Sequence, residues 1–152
     1  MATEDTVQLN EAHAPQHASI DAFGSILESV KSELVKLRHT HDKHEPEYFR
    51  AVKSLSDDDL ASFSADDLES VRVGQSAYGL HIFGKVRIPK ADNAYIHIRV
   101  FGSAKENTDG SSLDEREYKL HSIHTEEVVK DDGDRVYRAI FGKNDELEWF
   151  DT

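Results

Sequence analysis

The chain has 152 residues, 30 acidic and 18 basic side chains, and a formal charge of −12. That length supports one domain with a real core. The charge argues against nucleic acid, whose affinity comes largely from Lys and Arg neutralising phosphates, and it favours faster encounter with a basic protein partner. Zero cysteines exclude a disulfide framework, a thiolate nucleophile and a cysteine-based metal site. No apolar run approaches the roughly 20 residues of a membrane span, and the acidic, polar opening through Val7 is no secretory signal. A cytoplasmic protein with no membrane contact is the expectation.

Residues 1–18 show no periodicity and read as a disordered tail. His13 and His17 are four apart, but Pro15 between them opposes the helix that would present both to a metal. Ser19 then reads as an N-cap, with Asp21 in the first turn. Ile20, Phe23, Leu27, Val30, Leu34 and Leu37 follow at alternating spacings of three and four, an apolar stripe over about five turns. One long helix over about 20–38, lying on the domain's own sheet, is favoured over a coiled-coil partner. His39, His41, His44 and Asp42 at its end offer N and O ligands for zinc or copper. Cationic groups there also complement the helix dipole, and no metal is expected.

Pro46 stops the helix, and Tyr48, Phe49, Val52 and Leu55 have an amphipathic helical spacing. An imperfect tandem follows, Ser56-Asp57-Asp58-Asp59-Leu60 and Ser64-Ala65-Asp66-Asp67-Leu68. Each copy has the form of a capped helical turn with carboxylates near the helix start. Calcium is the competing reading, but no EF-hand spacing is present.

From Gln75 to Phe101 the pattern changes to a period of two. Ile82, Val86 and Ile88 alternate with His81, Phe83, Lys85 and Arg87, and Ile96, Ile98 and Val100 with Tyr95, His97 and Arg99. Two strands over 80–88 and 95–101 with one face buried, joined by the turn residues 89–94, form an antiparallel hairpin. Residues 102–112 read as a loop, 118–129 and 135–141 as strands joined at Asp132-Gly133, and 146–150 as a final short strand. The class is α+β, helix first and then an antiparallel meander.

No Gly-x-Ser-x-Gly elbow, phosphate-binding glycine loop or His-Glu-x-x-His motif is present. His81, His97, His121 and His124 are acid–base candidates, but strand histidines beside carboxylates are more often solvated surface residues. A protein that is not an enzyme, with no cofactor, is expected.

Gln75-Ser76-Ala77-Tyr78-Gly79 resembles the Gln-x-Val-x-Gly loop of the stefin-type cystatins, intracellular inhibitors of papain-like cysteine proteases. Lys85-Val86-Arg87, Asp92-Asn93, Tyr95, His97 and Val100-Phe101 fall in that family's order, and Asp145-Glu146-Leu147-Glu148-Trp149-Phe150 resembles its Asp-Glu-Leu-x-x-Phe ending. The resemblance covers about a third of the chain. It implies a cystatin-like domain over 19–152, with 46–70 a helical insertion before the sheet and Leu68–Val73 the first strand. It also implies a reversible inhibitor whose Gln75–Gly79 loop lodges beside the catalytic cysteine while Ser103, Ala104 and Lys105 form a second loop on the primed side. Gly79 would let a narrow backbone enter the cleft without a side chain. Three departures reduce the apolar wedge: Ala77 replaces Val, Ala104-Lys105 replaces Leu-Pro, and no glycine precedes the helix. The alternative is a cystatin-like module that binds another protein. A monomer is expected, with hairpin-exchanged dimers possible.

Overall fold

The computed structural model describes residues 7–105 and 116–151. The expected single helix is two, α1 (His17–Ser25) and α2 (Leu27–His44), separated at Ile26. Gly24-Ser25 is the physical reason: Gly favours the helix weakly, and the Ser25 hydroxyl donates back to the Ala22 carbonyl at 2.6 Å. Ser19 does not cap the helix but is buried within α1, and the N-cap position is Gln16. The stripe still faces inward, because Phe23, Val30 and Leu34 are buried, Ile26 joins them at the break, and Leu27 and Leu37 pack at the margin.

Four antiparallel strands form the main sheet in sequence order: β1 (Leu68–Ser76), β2 (Gly79–Arg87), β3 (Tyr95–Ala104) and β4 (Arg116–Ile123). The hairpin pairs as the periodicity predicts, with Ile82 opposite Val100 and Val86 opposite Ile96. One face of this sheet carries Ile82, Ile98 and Val100 against Phe23 of α1. Along β2 and β3, however, both faces are buried, which the alternation did not indicate. Phe83 packs with Leu147 and Phe150 on the far side, and His81, Lys85, His97 and Arg99 are buried as well. The C-terminal segment covers them instead of adding the strand expected at 146–150. A capped turn shapes that segment: the Gly142 N–H donates to Asp145 Oδ2 at 2.6 Å, and Phe141 and Tyr95 exchange backbone hydrogen bonds.

Between α2 and β1, residues 46–52 form a 3-10 turn, α3 spans Asp57–Leu60, and residues 65–67 form another 3-10 turn. The tandem repeat caps as read. The Asp59 N–H donates to Ser56 Oγ, and Ser64 and Asp67 make a reciprocal capping box. Phe49, Val52, Leu60 and Phe63 are buried in the main core, so this segment is part of the domain's packing. The first strand is the one starting at Leu68.

The described part of the expected disordered tail is ordered against the edge of β1. His13 and Val71 exchange backbone hydrogen bonds at 2.9 and 3.0 Å, and the Asn10 N–H donates to the Val73 carbonyl at 2.9 Å. Gly74 makes room for it: a Cβ there would lie 2.6 Å from Val7 Cγ1. The expected 118–129 strand is broken at His124, whose N–H donates to the His97 carbonyl. β5 (Glu126–Val129) therefore pairs with β6 (Arg135–Arg138) in a separate hairpin that turns at Gly133, φ +87°. Among the described residues no helix is long and apolar enough to cross a membrane.

Candidate functional site

The β1–β2 connection is as short as a hairpin allows. Ser76 pairs with Gly79, leaving only Ala77 and Tyr78 in the turn. Gln75, Ala77 and Tyr78 are exposed, and the Tyr78 side chain stands 63% exposed at the tip. Ser76 holds the turn from within. Its Oγ accepts from the Tyr78 N–H at 3.1 Å and donates to the Gly79 carbonyl at 3.4 Å.

His81, which is 3% exposed, is the buried support beneath this turn. Its Nε2 lies 2.9 Å from Ser76 Oγ and its Nδ1 3.5 Å from Arg99 Nη2. A guanidinium can only donate, so Nδ1 accepts and the proton sits on Nε2, which donates to Ser76. That tautomer is opposite to the one needed to deprotonate the serine. The Ser76–His81 contact in this geometry is a turn clamp and not a nucleophile–base pair. Burial, with Arg99 and His121 adding to it, pushes the His81 pKa below its ordinary value. Arg99 carries the support onward: it donates to the Phe150 carbonyl and to Asp151, and its guanidinium lies 4.4 Å from the centre of the Trp149 ring. The C-terminal segment thus braces the turn from the far face of the sheet.

Gly79 has an internal reason to be glycine. Its φ is +152°, and a Cβ would lie 2.5 Å from the Gly102 carbonyl oxygen and 2.7 Å from the Phe101 ring. This close approach to β3 requires glycine here whatever the turn meets outside the chain. The expected second loop also differs. Ser103 and Ala104 are still strand, opposite Glu117 and Arg116, and Lys105 follows the strand's end. Residues 106–112 of the expected loop lie outside the described residues.

Three segments nevertheless reach the same end of the sheet. The turn at 77–78 lies there, the end of β3 lies beside it through the Leu80–Gly102 pair, and Val7, Gln8 and Leu9 lie against Gly74. Among the histidines considered for metal, His39 approaches Asp57 while the His41 ring packs at a tilt against Tyr48, centroids 4.2 Å apart. No group of three or more His, Cys, Asp or Glu among the described residues is placed to hold a metal ion. The supports that composition and spacing missed are His81, Arg99 and Trp149; only the alternation of polar residues along β2 and β3 hinted at a second buried face. No family model, curated protein or solved structure matches this chain.

Proposed function

We propose that this protein is a reversible inhibitor of papain-like cysteine proteases, with a cystatin-like fold, acting in the cytoplasm as a monomer. The observation that carries this reading is the two-residue turn at Ala77-Tyr78, held rigid from beneath and exposed at the end of the sheet. The N-terminal segment and the end of β3 at Ser103-Ala104 flank it there. A preorganised projection loses little conformational entropy on docking. A tight turn also offers no extended peptide bond for attack, so it blocks a cleft without being a substrate.

Inhibition constants against papain and a cathepsin-L-like enzyme test the proposal. Tyr78→Ala is expected to weaken inhibition at unchanged melting temperature. Ala77→Val is expected to strengthen it modestly by adding buried apolar surface, and Asp58→Asn in the acidic repeat to leave it unchanged. A second reading, a module for a different protein partner, is favoured by the strand conformation of Ser103 and Ala104, which narrows the flanking surface. Absence of inhibition by the wild type at tens of micromolar, across several such enzymes, selects this second reading.

A further inference from the structure

The two edges of the main sheet differ. Along β1 the N-terminal segment is seated by backbone hydrogen bonds, between His13 and Val71 and from Asn10 to Val73. β4 closes the other side, and among the described residues no strand follows it. An uncovered edge pairs readily with another strand unless its side chains forbid it. Beside this edge, Ser29, Glu33 and Leu37 of α2 line a groove of about 740 Å3 together with Tyr118 and Leu120 of β4.

The side chains of β4 decide which strand fits. Its pairing with β3 is regular from Arg116 to Leu120 and slips only at His121, so Tyr118 is the midpoint of the regular stretch. Glu117 and Lys119 flank that midpoint and are exposed, whereas Tyr118 and Leu120 are half-buried on the other face. Within the chain Glu117 stands opposite Ser103 and Lys119 opposite Phe101, so neither meets a charge across β3. The pair is self-complementary. A second β4 laid antiparallel and centred on Tyr118 puts Glu117 opposite the partner's Lys119, and Lys119 opposite the partner's Glu117. Directly opposed side chains have Cβ atoms about 5 Å apart, and opposite charges there attract. Registers centred on Glu117 or on Lys119 set like charges against each other, so the charges select the register as well as the partner.

We propose that two copies of this chain associate through β4, antiparallel and two-fold about Tyr118, joining their sheets edge to edge. This goes beyond the inhibitor reading: the monomer that acts on a protease is the dilute side of the equilibrium. One short strand pair buries little surface, so the association is weak, with a dissociation constant on the order of 100 µM. Sedimentation velocity follows the full chain from about 10 µM to about 1 mM. Salt at about 0.15 M screens the long-range repulsion between chains of charge −12 while opposed side chains still interact. The wild type should move from monomer toward dimer across that range. Glu117→Lys and Lys119→Glu, each alone, set like charges opposite one another twice and should weaken association about tenfold or more. Glu117→Lys also lowers the net negative charge, so its weakening does not come from overall repulsion. Both side chains are exposed, and melting temperatures close to that of the wild type check that the fold is kept. An equal mixture of the two variants opposes Lys to Glu again and should dimerise as the wild type does. A wild type that stays monomeric throughout, single variants that dimerise as well as the wild type, or a mixture no more associated than its components would each overturn the proposal. None of these readouts involves a protease, so the dimer and the inhibitor reading fail separately.

Discussion

At Gly79 the backbone has no room for a side chain, because the Gly102 carbonyl oxygen would lie 2.5 Å from a Cβ and φ is +152°. Gly79→Glu is therefore expected to cost about 2–4 kcal/mol of folding stability, read as a fall in melting temperature of several degrees. A melt matching the wild type would refute the steric argument. Loss of inhibition in that variant would report on folding, so Ala77 and Tyr78 are the informative positions for any cleft. The clamp beneath gives a second test. His81→Phe keeps a ring between Phe101 and Trp149 but removes the donor to Ser76 Oγ. The expected outcome is a loss of about 0.5–1.5 kcal/mol and faster hydrogen exchange at the Tyr78 amide, whose N–H is held by that same oxygen. Unchanged exchange at Tyr78 would mean that Ser76 holds the turn without its histidine.

The segment between α2 and β1 is fastened at one point more than by its own turns. Arg38, buried at 6% exposure, donates to the Leu55 carbonyl at 2.7 Å and pairs with Asp57, the first residue of α3. Asp57→Asn leaves that guanidinium without its carboxylate. Because the Asp57 side chain is 40% exposed, the cost is discounted to about 1–2 kcal/mol. Faster amide exchange confined to residues 56–63, with β2 and β3 unchanged, is the expected signature; uniform acceleration would place Asp57 in the global unfolding unit instead. Local signals made this segment's capped turns legible, as they did the inward stripe of α1 and α2 and the register of the β2–β3 hairpin. Contacts that join distant residues were not legible. Nothing near Trp149 announces that it covers His81 and Arg99, and the tail at His13 looks featureless until Val71 offers an open edge. The break at Ile26 was written in Gly24-Ser25 but masked by an unbroken stripe. At the candidate site, the glycine-ended turn could be read from Gln75–Gly79. The extent of β3 could not, because Gly102-Ser103 has loop composition and stays extended only through pairing with Leu80 and Glu117.

For the molecule as a whole, the two-sided burial of the sheet makes stability depend on pH through groups that its far face holds. His97 is the strongest case: burial, with Lys85, His124 and Arg138 adding repulsion against the attraction of Asp145, pulls its pKa from 6.5 down to about 3. Above the ordinary histidine value neither the folded nor the unfolded chain binds this proton, and His97 imposes no penalty. As pH falls through that value the unfolded chain takes up the proton while the folded chain does not, so acid favours unfolding by about 1.4 kcal/mol per pH unit until the folded pKa is reached. His81 is shifted in the same direction by the same cause, burial. Asp145 adds to the loss further down. Although burial raises its pKa, the Gly142 N–H and Arg138 hold it below the ordinary carboxylate value, so its stabilisation is present above that value and fades as it protonates. All three act in one sense. Urea denaturation at about pH 7.5 and about pH 4.5 should therefore show a loss of about 2–4 kcal/mol, and His97→Phe, which stacks on Phe141 without a titratable group, should flatten that slope by roughly half. A wild-type stability that is level between those two pH values would mean that the far face opens enough to hydrate His97 in the folded state, and the ordering of the C-terminal segment over the sheet would be the first element to re-examine, by amide exchange at Leu147 and Phe150.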